Sequence, residues 1–135
     1  MRFISTYVHG MLDYGIGIIL LLSPWIFGFA AQGADPQAVP GTNPMSIIPI
    51  LLGISIMVLA LFTNYEFGAI RRIPMVTHLW IDALAGLFLA ASPWLFGFAD
   101  YVYLPHVLLG VAEIGAALFT ATAAPAYPEK KNPIR

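Results

Sequence analysis

Residues 9–30 read HGMLDYGIGIILLLSPWIFGFA, and residues 78–99 read HLWIDALAGLFLAASPWLFGFA. The two stretches lie 69 residues apart and are identical at 11 of 22 positions. The shared polar residues are the informative ones, because apolar matches arise easily between hydrophobic helices. They include a histidine, an aspartate and a serine, at His9/His78, Asp13/Asp82 and Ser23/Ser92. The chain therefore contains an internal repeat.

The composition indicates that lipid is the solvent of this fold. Hydrophobic residues make up 59% of the 135 residues and charged residues only 10%, whereas soluble domains carry about 25% charged residues. So short a chain cannot bury this much apolar surface in a water-soluble core. The net charge of −1 argues against a nucleic-acid partner. The absence of cysteine excludes disulfides, iron–sulfur clusters and thiol chemistry.

Four apolar runs are long enough to cross a bilayer, which takes roughly 17–25 helical residues. They cover about Phe3–Leu22, Met45–Thr63, Pro74–Ala91 and Val102–Ala123. All six Lys and Arg residues lie at the N-terminus, in the loop between the second and third runs, or in the C-terminal tail. With four spans, these three regions share one side of the membrane. The positive-inside rule then places both termini in the cytoplasm.

The second span of each unit also repeats, with a shift of 57 residues that aligns Leu51–Gly53 with Leu108–Gly110 and Ala60–Thr63 with Ala117–Thr120. Because each unit crosses the membrane twice, the two units must run in parallel, related by a pseudo-two-fold axis along the membrane normal. We predict an all-α fold, an integral membrane four-helix bundle built from two tandem two-span repeats. The single membrane domain contains unit one at about 3–67, unit two at about 74–124 and a cytoplasmic tail at 125–135.

A Ser-Pro-Trp motif stands at the predicted outer end of the first span of each unit. Its members are Ser23, Pro24, Trp25, Ser92, Pro93 and Trp94. Proline lacks a backbone N–H and should kink or end its helix, while the serine hydroxyl can bond to the carbonyl that proline frees. An indole favours the interface between lipid and water. We interpret the motif as a bend and an anchor; the alternative is a ligand pocket lined by both tryptophans.

This doubled motif, with a His-x-x-x-Asp helix before each copy and a second apolar span after it, resembles the SPW-repeat family of small prokaryotic membrane proteins. The resemblance covers almost the whole chain apart from the long first loop and the tail. It implies a two-unit, four-span protein of the prokaryotic cytoplasmic (inner) membrane. It implies no particular activity, so the function must be argued from the residues.

Two pairs of polar residues lie inside the predicted spans. His9 and Asp13 are four residues apart, as are His78 and Asp82, and this spacing stacks both side chains of a pair on one helix face. Charged groups at that depth cost on the order of 3 kcal/mol each, so we expect them to face the interior of the bundle. Three roles stay open: hydrogen bonds that fix the helix register, a proton or ion path, or ligation of haem or a divalent metal.

The fourth span carries His106 and Glu113 on nearly one face, without counterparts in the first unit. Glu113 lies near the predicted midplane of the bilayer, where a carboxyl group should be protonated or paired. It either joins helices through hydrogen bonds or passes protons between His106 and the His/Asp pairs.

The sequence favours a structural or accessory membrane protein over an enzyme, because it contains neither a recognisable nucleophile with its base nor a Gly-rich phosphate loop. The first alternative is proton or ion translocation, and the second is a bundle that binds haem, metal or quinone. We predict no cofactor for the leading interpretation. The expected partners are the lipid bilayer and, in addition, a second copy of the chain or another membrane protein.

Overall fold

The computed structural model describes residues 1–32 and 39–123, and these ranges contain four helices and no strand longer than an isolated bridge. The helices are α1 (Thr6–Ile26), α2 (Pro44–Phe62), α3 (Met75–Leu95) and α4 (Leu104–Phe119). The fold is thus an all-α four-helix bundle, as predicted. Helices α1 to α3 are each long and apolar enough to cross a membrane, whereas α4 is a shorter apolar helix of 16 residues. The predicted tail at 125–135 lies outside the described residues.

Local signals set the limits of the helices. The Ser5 side chain accepts a hydrogen bond from the Val8 N–H and caps α1. Asn43 caps α2 in the same way through the Ser46 N–H, at 2.9 Å, and Pro44 supplies the first residue of the helix. A side chain that accepts from the free N–H groups of the first turn replaces the missing helical partner, so the entry of the chain into both helices is fixed by sequence.

The helices pack as two pairs, α1 with α2 and α3 with α4, while contacts between the pairs are sparse. At one end of the bundle, two backbone bridges connect the pairs: Ile4 pairs with Thr120, and Ile73 pairs with Thr63. The two bridges correspond to each other under the repeat shifts of 69 and 57 residues. Each bridge joins the start of one unit to the end of the other, and the parallel pseudo-two-fold axis itself stays a prediction. We call this end, which carries Arg2, Arg71 and Arg72, the arginine end.

Close packing within each pair depends on glycine. A Cβ atom on Gly53 of α2 would lie 2.5 Å from the Gly17 carbonyl oxygen of α1. A Cβ atom on Gly86 of α3 would lie 2.6 Å from the Gly110 carbonyl oxygen of α4. Since non-bonded atoms do not approach so closely, these four residues must lack a side chain for the paired helices to pack at this distance.

The Ser-Pro-Trp motif lies in the last turn of α1 and of α3, which end at Ile26 and Leu95. Helix α1 continues through Pro24. Proline cannot donate to the Leu20 carbonyl four residues earlier, and the Ser23 hydroxyl donates to that carbonyl instead, at 2.8 Å. Ser92 makes the equivalent bond in α3, at 2.7 Å. The serine therefore satisfies the acceptor that proline frees, as the sequence suggested.

Glycine, and not proline, ends these two helices. Gly28 and Gly97 adopt left-handed backbone conformations, with φ of 72° and 70°. The Phe29 N–H then donates back to the Pro24 carbonyl at 2.8 Å, and the second unit repeats this bond. This Schellman turn directs Phe29 and Phe98 into the core, where they are 1% and 4% exposed.

The two tryptophans of the motif lie on the outside of the bundle. Trp25 is 55% exposed and Trp94 is 60% exposed. Outward-facing indoles on α1 and α3 suit an anchor at the lipid–water interface better than a pocket enclosed between them.

We predict that Gly86→Ala destabilises the bundle, because the new methyl group overlaps the Gly110 carbonyl of α4; overpacking of this kind costs about 1–3 kcal/mol. Gly115 is the matched control, since no atom lies within 4 Å of a Cβ placed there. Gly115→Ala should be neutral or slightly stabilising. Thermal unfolding in detergent measures both variants, and equal melting temperatures would contradict the close packing of α3 and α4.

We also predict that the arginine end faces the cytoplasm. The chain has no cysteine, so single cysteines can be introduced at two exposed positions, Gln32 and Ala69, which lie in the first and second loops. In intact cells, a membrane-impermeant maleimide should label Gln32→Cys at once and Ala69→Cys only after the membrane is opened. The opposite order of labelling would reverse the orientation.

Candidate functional site

The two predicted His/Asp pairs meet near the arginine end of the bundle. His9 and Asp13 come from α1, His78 and Asp82 come from α3, and none of the four is more than 1% exposed. The Nε2 atoms of the two histidines are 3.2 Å apart. Between helices, His9 Nε2 lies 3.1 Å from Asp82 Oδ2 and His78 Nε2 lies 3.2 Å from Asp13 Oδ2. Within the helices, the His–Asp separations are 3.2 and 2.9 Å. We call these four residues the His/Asp cluster.

Each imidazole ring is hydrogen-bonded to a threonine hydroxyl through Nδ1, the ring nitrogen that does not contact the other members of the cluster. His78 Nδ1 lies 2.7 Å from Thr63 Oγ1, and His9 Nδ1 lies 2.9 Å from Thr120 Oγ1. Both hydroxyls donate their own proton to a backbone carbonyl one helical turn earlier, at 2.8 and 2.6 Å. Each hydroxyl must therefore accept from the ring, which assigns a proton to both Nδ1 atoms. Both Nε2 atoms consequently point into the cluster, as lone pairs or as the second N–H of an imidazolium.

Each threonine contacts the histidine of the other repeat unit. Thr120 of unit two contacts His9 of unit one, and Thr63 of unit one contacts His78 of unit two. Sequence reasoning did not identify them as part of the site. The available signal was their equivalence under the 57-residue shift, which aligns one threonine with the other at the end of each second helix.

Tyr65 covers the cluster from the loop between α2 and α3. Its hydroxyl donates to Asp13 Oδ2 at 2.7 Å, and its side chain is fully buried. Burial and the neighbouring Asp13 carboxylate raise the pKa of the Tyr65 phenol, so the hydroxyl stays a donor. Sequence reasoning missed Tyr65, because it lies in a loop and the equivalent position of unit two is Thr122.

The two carboxylates differ in their surroundings. Both oxygens of Asp13 are contacted, by His9, His78 and Tyr65. Asp82 contacts both histidines through Oδ2, but its Oδ1 is buried without a hydrogen-bond partner in the described part of the chain. The cluster therefore retains one free, buried acceptor.

Glu113 is buried beside α3 but does not hydrogen-bond to the cluster within the described ranges. Its Cβ packs against Gly86, one helical turn beyond Asp82. Its Oε1 has no hydrogen-bond partner among the described residues. The expected bonds from Glu113 to neighbouring helices are thus not found there.

His106 lies at the opposite end of the bundle. Its Nε2 is 2.9 Å from the Met45 carbonyl oxygen and donates to it. The rings of Phe29 and Phe98 enclose it, with centroids 5.3 and 5.1 Å from that of the imidazole. The second phenylalanine of each repeated phrase therefore serves to enclose a histidine in the core.

An apolar layer separates Glu113 from His106. Its buried members are Leu20, Ile56 and Leu89, from three different helices. Leu109, which lies between Glu113 and His106 along α4, packs on the same layer. The six polar residues singled out in the sequence thus form one tight cluster of four and two separate buried groups.

Comparison with known proteins agrees with this architecture. A family model described as the SPW repeat domain matches residues 7–120, a range that includes both Ser-Pro-Trp motifs and the whole His/Asp cluster. No curated protein and no solved structure matches the chain.

We predict that Tyr65→Phe lowers the free energy of unfolding by about 1.5–3 kcal/mol, because it removes a donor from a buried carboxylate. A raised pKa means that the phenol ionises first in the unfolded state. The advantage of tyrosine over phenylalanine should therefore be complete below about pH 10 and decline as the pH rises above it.

Thermal unfolding of both proteins in detergent from neutral pH upward measures this difference. Tyr7→Phe is the control, because Tyr7 is 53% exposed and packs its ring on Phe67. A Tyr65→Phe protein as stable as the Tyr7→Phe protein at neutral pH would contradict the bond to Asp13.

Proposed function

The chain belongs to the SPW repeat domain family, and from this premise we propose that it is a non-enzymatic structural or accessory protein of a prokaryotic cytoplasmic membrane. In this proposal, the His/Asp cluster fastens the α1/α2 pair to the α3/α4 pair. The observation that carries it is the direct contact of four buried polar side chains between α1 and α3.

The arrangement of the helices supports a fastening role. Contacts between the two pairs are sparse compared with those inside each pair. A few strong bonds between the pairs therefore have a large effect on their relative position. The cluster supplies such bonds together with its two threonines, each of which joins one unit to the other.

The charges of the cluster balance when both histidines are protonated, since two imidazolium ions match two carboxylates. Hydrogen bonds between charged groups are about twice as strong as neutral ones. Removing one member leaves an unpaired buried charge, and breaking a buried ion pair in this way costs about 3–5 kcal/mol. The cluster thus specifies one pairing of the helices and penalises the alternatives.

Proton or ion translocation is less well supported. A relay needs titratable groups or water within hydrogen-bond reach from one membrane face to the other. The apolar layer of Leu20, Ile56 and Leu89 lies between Glu113 and His106. Phenyl rings enclose His106 itself. These features favour a static core over a path.

Haem is also less well supported as a ligand of the two histidines. Imidazoles that bind haem iron from opposite faces have the whole macrocycle between their rings. The Nε2 atoms of His9 and His78 are only 3.2 Å apart. That separation favours a small ion over a porphyrin.

We predict that Asp82→Asn lowers the melting temperature in detergent markedly, because it removes the carboxylate that contacts both buried histidines. Asp100→Asn is the matched control, since Asp100 is exposed, and it should leave the melting temperature unchanged. Vesicles that contain the wild-type protein should acidify no faster than empty vesicles under an imposed membrane potential.

Two results would count against this function. Equal stability of the Asp82→Asn and Asp100→Asn proteins would remove the fastening role. A proton flux in wild-type vesicles that Glu113→Gln abolishes would establish translocation instead.

A further inference from the structure

We propose that the His/Asp cluster binds one divalent metal ion, with zinc as the best match. The ligands are Nε2 of His9, Nε2 of His78 and one carboxylate oxygen each from Asp13 and Asp82. This inference rests on the proposed fastening function and adds to it the ion that completes the fastening.

The donor atoms converge as a metal site requires. One donor atom from each of the four residues lies within 4.8 Å of the other three, and all four residues are buried. Imidazole nitrogen and carboxylate oxygen together suit zinc and its neighbours in the first transition row. They suit Mg²⁺ and Ca²⁺ poorly, because both ions prefer a shell made of oxygen alone.

The dimensions of the cluster match a small tetrahedral ion. Zinc lies roughly 2.0–2.2 Å from nitrogen and oxygen ligands, which places the donors of a tetrahedral site about 3.3–3.6 Å from one another. The His–His and His–Asp contacts in the cluster span 2.9–3.2 Å, with both Asp13 oxygens taking part, and one donor atom from each of the four residues lies within 4.8 Å of the others. A small outward movement of each side chain therefore makes room for the ion without any change in the helices.

The bonds around the cluster are those expected around metal ligands. A histidine that binds metal through one nitrogen almost always donates its other ring N–H to a fixed acceptor. Thr120 and Thr63 accept from Nδ1 of His9 and His78, which leaves both Nε2 atoms for the ion. Tyr65 orients the Asp13 carboxylate in the same manner. Three of the four ligands are thus held in place before an ion arrives.

Two features of the cluster call for an added cation. Two Nε2 atoms at 3.2 Å attract each other only when one carries a proton and the other offers its lone pair, so two neutral imidazoles with their protons on Nδ1 leave two lone pairs facing each other. The buried Asp82 Oδ1 also lacks a partner in the described part of the chain. A divalent ion between the four side chains accepts both lone pairs and gives the unpartnered carboxylate a positive neighbour.

The exchange of protons for metal conserves charge. Two imidazolium ions and two carboxylates sum to zero, and so do two neutral imidazoles, two carboxylates and one divalent ion. When the cluster starts with both imidazoles protonated, binding breaks the two Nε2–H bonds, forms two Nε2–metal bonds and releases two protons to the solvent. The neutral product suits a core from which water is excluded.

A further carboxylate lies in the loop that carries Tyr65. Glu66 follows Tyr65 in the loop above the cluster, and its Oε1 accepts from the Thr6 hydroxyl at 2.9 Å. Its Oε2 is buried without a hydrogen-bond partner among the described residues. Glu66 therefore adds another buried carboxylate oxygen without a partner among the described residues, next to Tyr65 in the chain.

The test uses the full chain, purified in detergent and stripped with a chelator. Co²⁺ serves as the probe, because a tetrahedral Co²⁺ ion absorbs visible light strongly and an octahedral one weakly. We expect one Co²⁺ per chain, an intense visible band, loss of that band on addition of one equivalent of Zn²⁺, and no loss with Mg²⁺. Zn²⁺ should also raise the melting temperature.

Three variants sharpen the test. Asp82→Asn removes a ligand and should abolish the intense band. Thr63→Val keeps every ligand but releases His78, and should weaken Zn²⁺ binding about 10–100-fold. Asp100→Asn, at an exposed position, should bind as the wild type does. Circular dichroism establishes that each variant is folded.

The outcomes separate the metal site from the fastening function. If the stripped wild type takes up no Co²⁺, or if Asp82→Asn shows the same band, the metal site is overturned. If the metal site is overturned but the stripped Asp82→Asn protein melts at a lower temperature than the stripped wild type, the fastening function stands without a metal. If Asp82→Asn melts as the wild type does in the stripped state and with Zn²⁺, the fastening function fails, and the metal site fails with it.

Discussion

A polar group inside a bilayer has no water to bond with, so it must find its partner within the protein. Asp13 and Asp82 impose this constraint strongly, because a charged group inside a bilayer is costly to leave unpaired. Their position on α1 and α3 forces these helices to turn one face toward each other. The histidines, the two threonines and Tyr65 then follow as the groups that satisfy the carboxylates and each other.

The same constraint explains the repeated Ser-Pro-Trp-x-Phe-Gly-Phe phrase. Proline lacks the backbone N–H that would donate to the carbonyl four residues earlier, and the hydroxyl of the serine beside it donates to that carbonyl instead. Glycine then reverses the chain and satisfies a further carbonyl through the Schellman turn. The second phenylalanine enters the core as a result, while the tryptophan stays outside. One short phrase therefore ends a membrane helix with its acceptors satisfied.

Periodicity and the repeat were enough to predict the four helices, and the i, i+4 spacing predicted that both His/Asp pairs point inward. The family was recognised from the doubled motif and confirmed. The sequence did not predict the roles of Tyr65, Thr63 and Thr120. These roles depend on how a loop and two helix ends come together in space. Proline was expected to kink or end its helix; it lies in the last turn of α1, where the hydroxyl of the neighbouring Ser23 donates to the carbonyl that proline leaves free. That Glu113 Oε1 has no hydrogen-bond partner in the described part of the chain depends on packing that no local pattern encodes.

The cross-connection between the units has a consequence for the origin of the molecule. The start of each unit bonds to the end of the other, through a backbone bridge and through a threonine that holds the other unit's histidine. A polypeptide that contained only one repeat unit would have a histidine without its threonine partner and a backbone segment without its bridge partner. A second hairpin would have to supply the missing threonine and the missing backbone partner. A second copy of the same hairpin carries nearly the same groups as the other repeat unit. The repeated sequence and these crossed bonds are the arrangement that joining two such hairpins head to tail would produce.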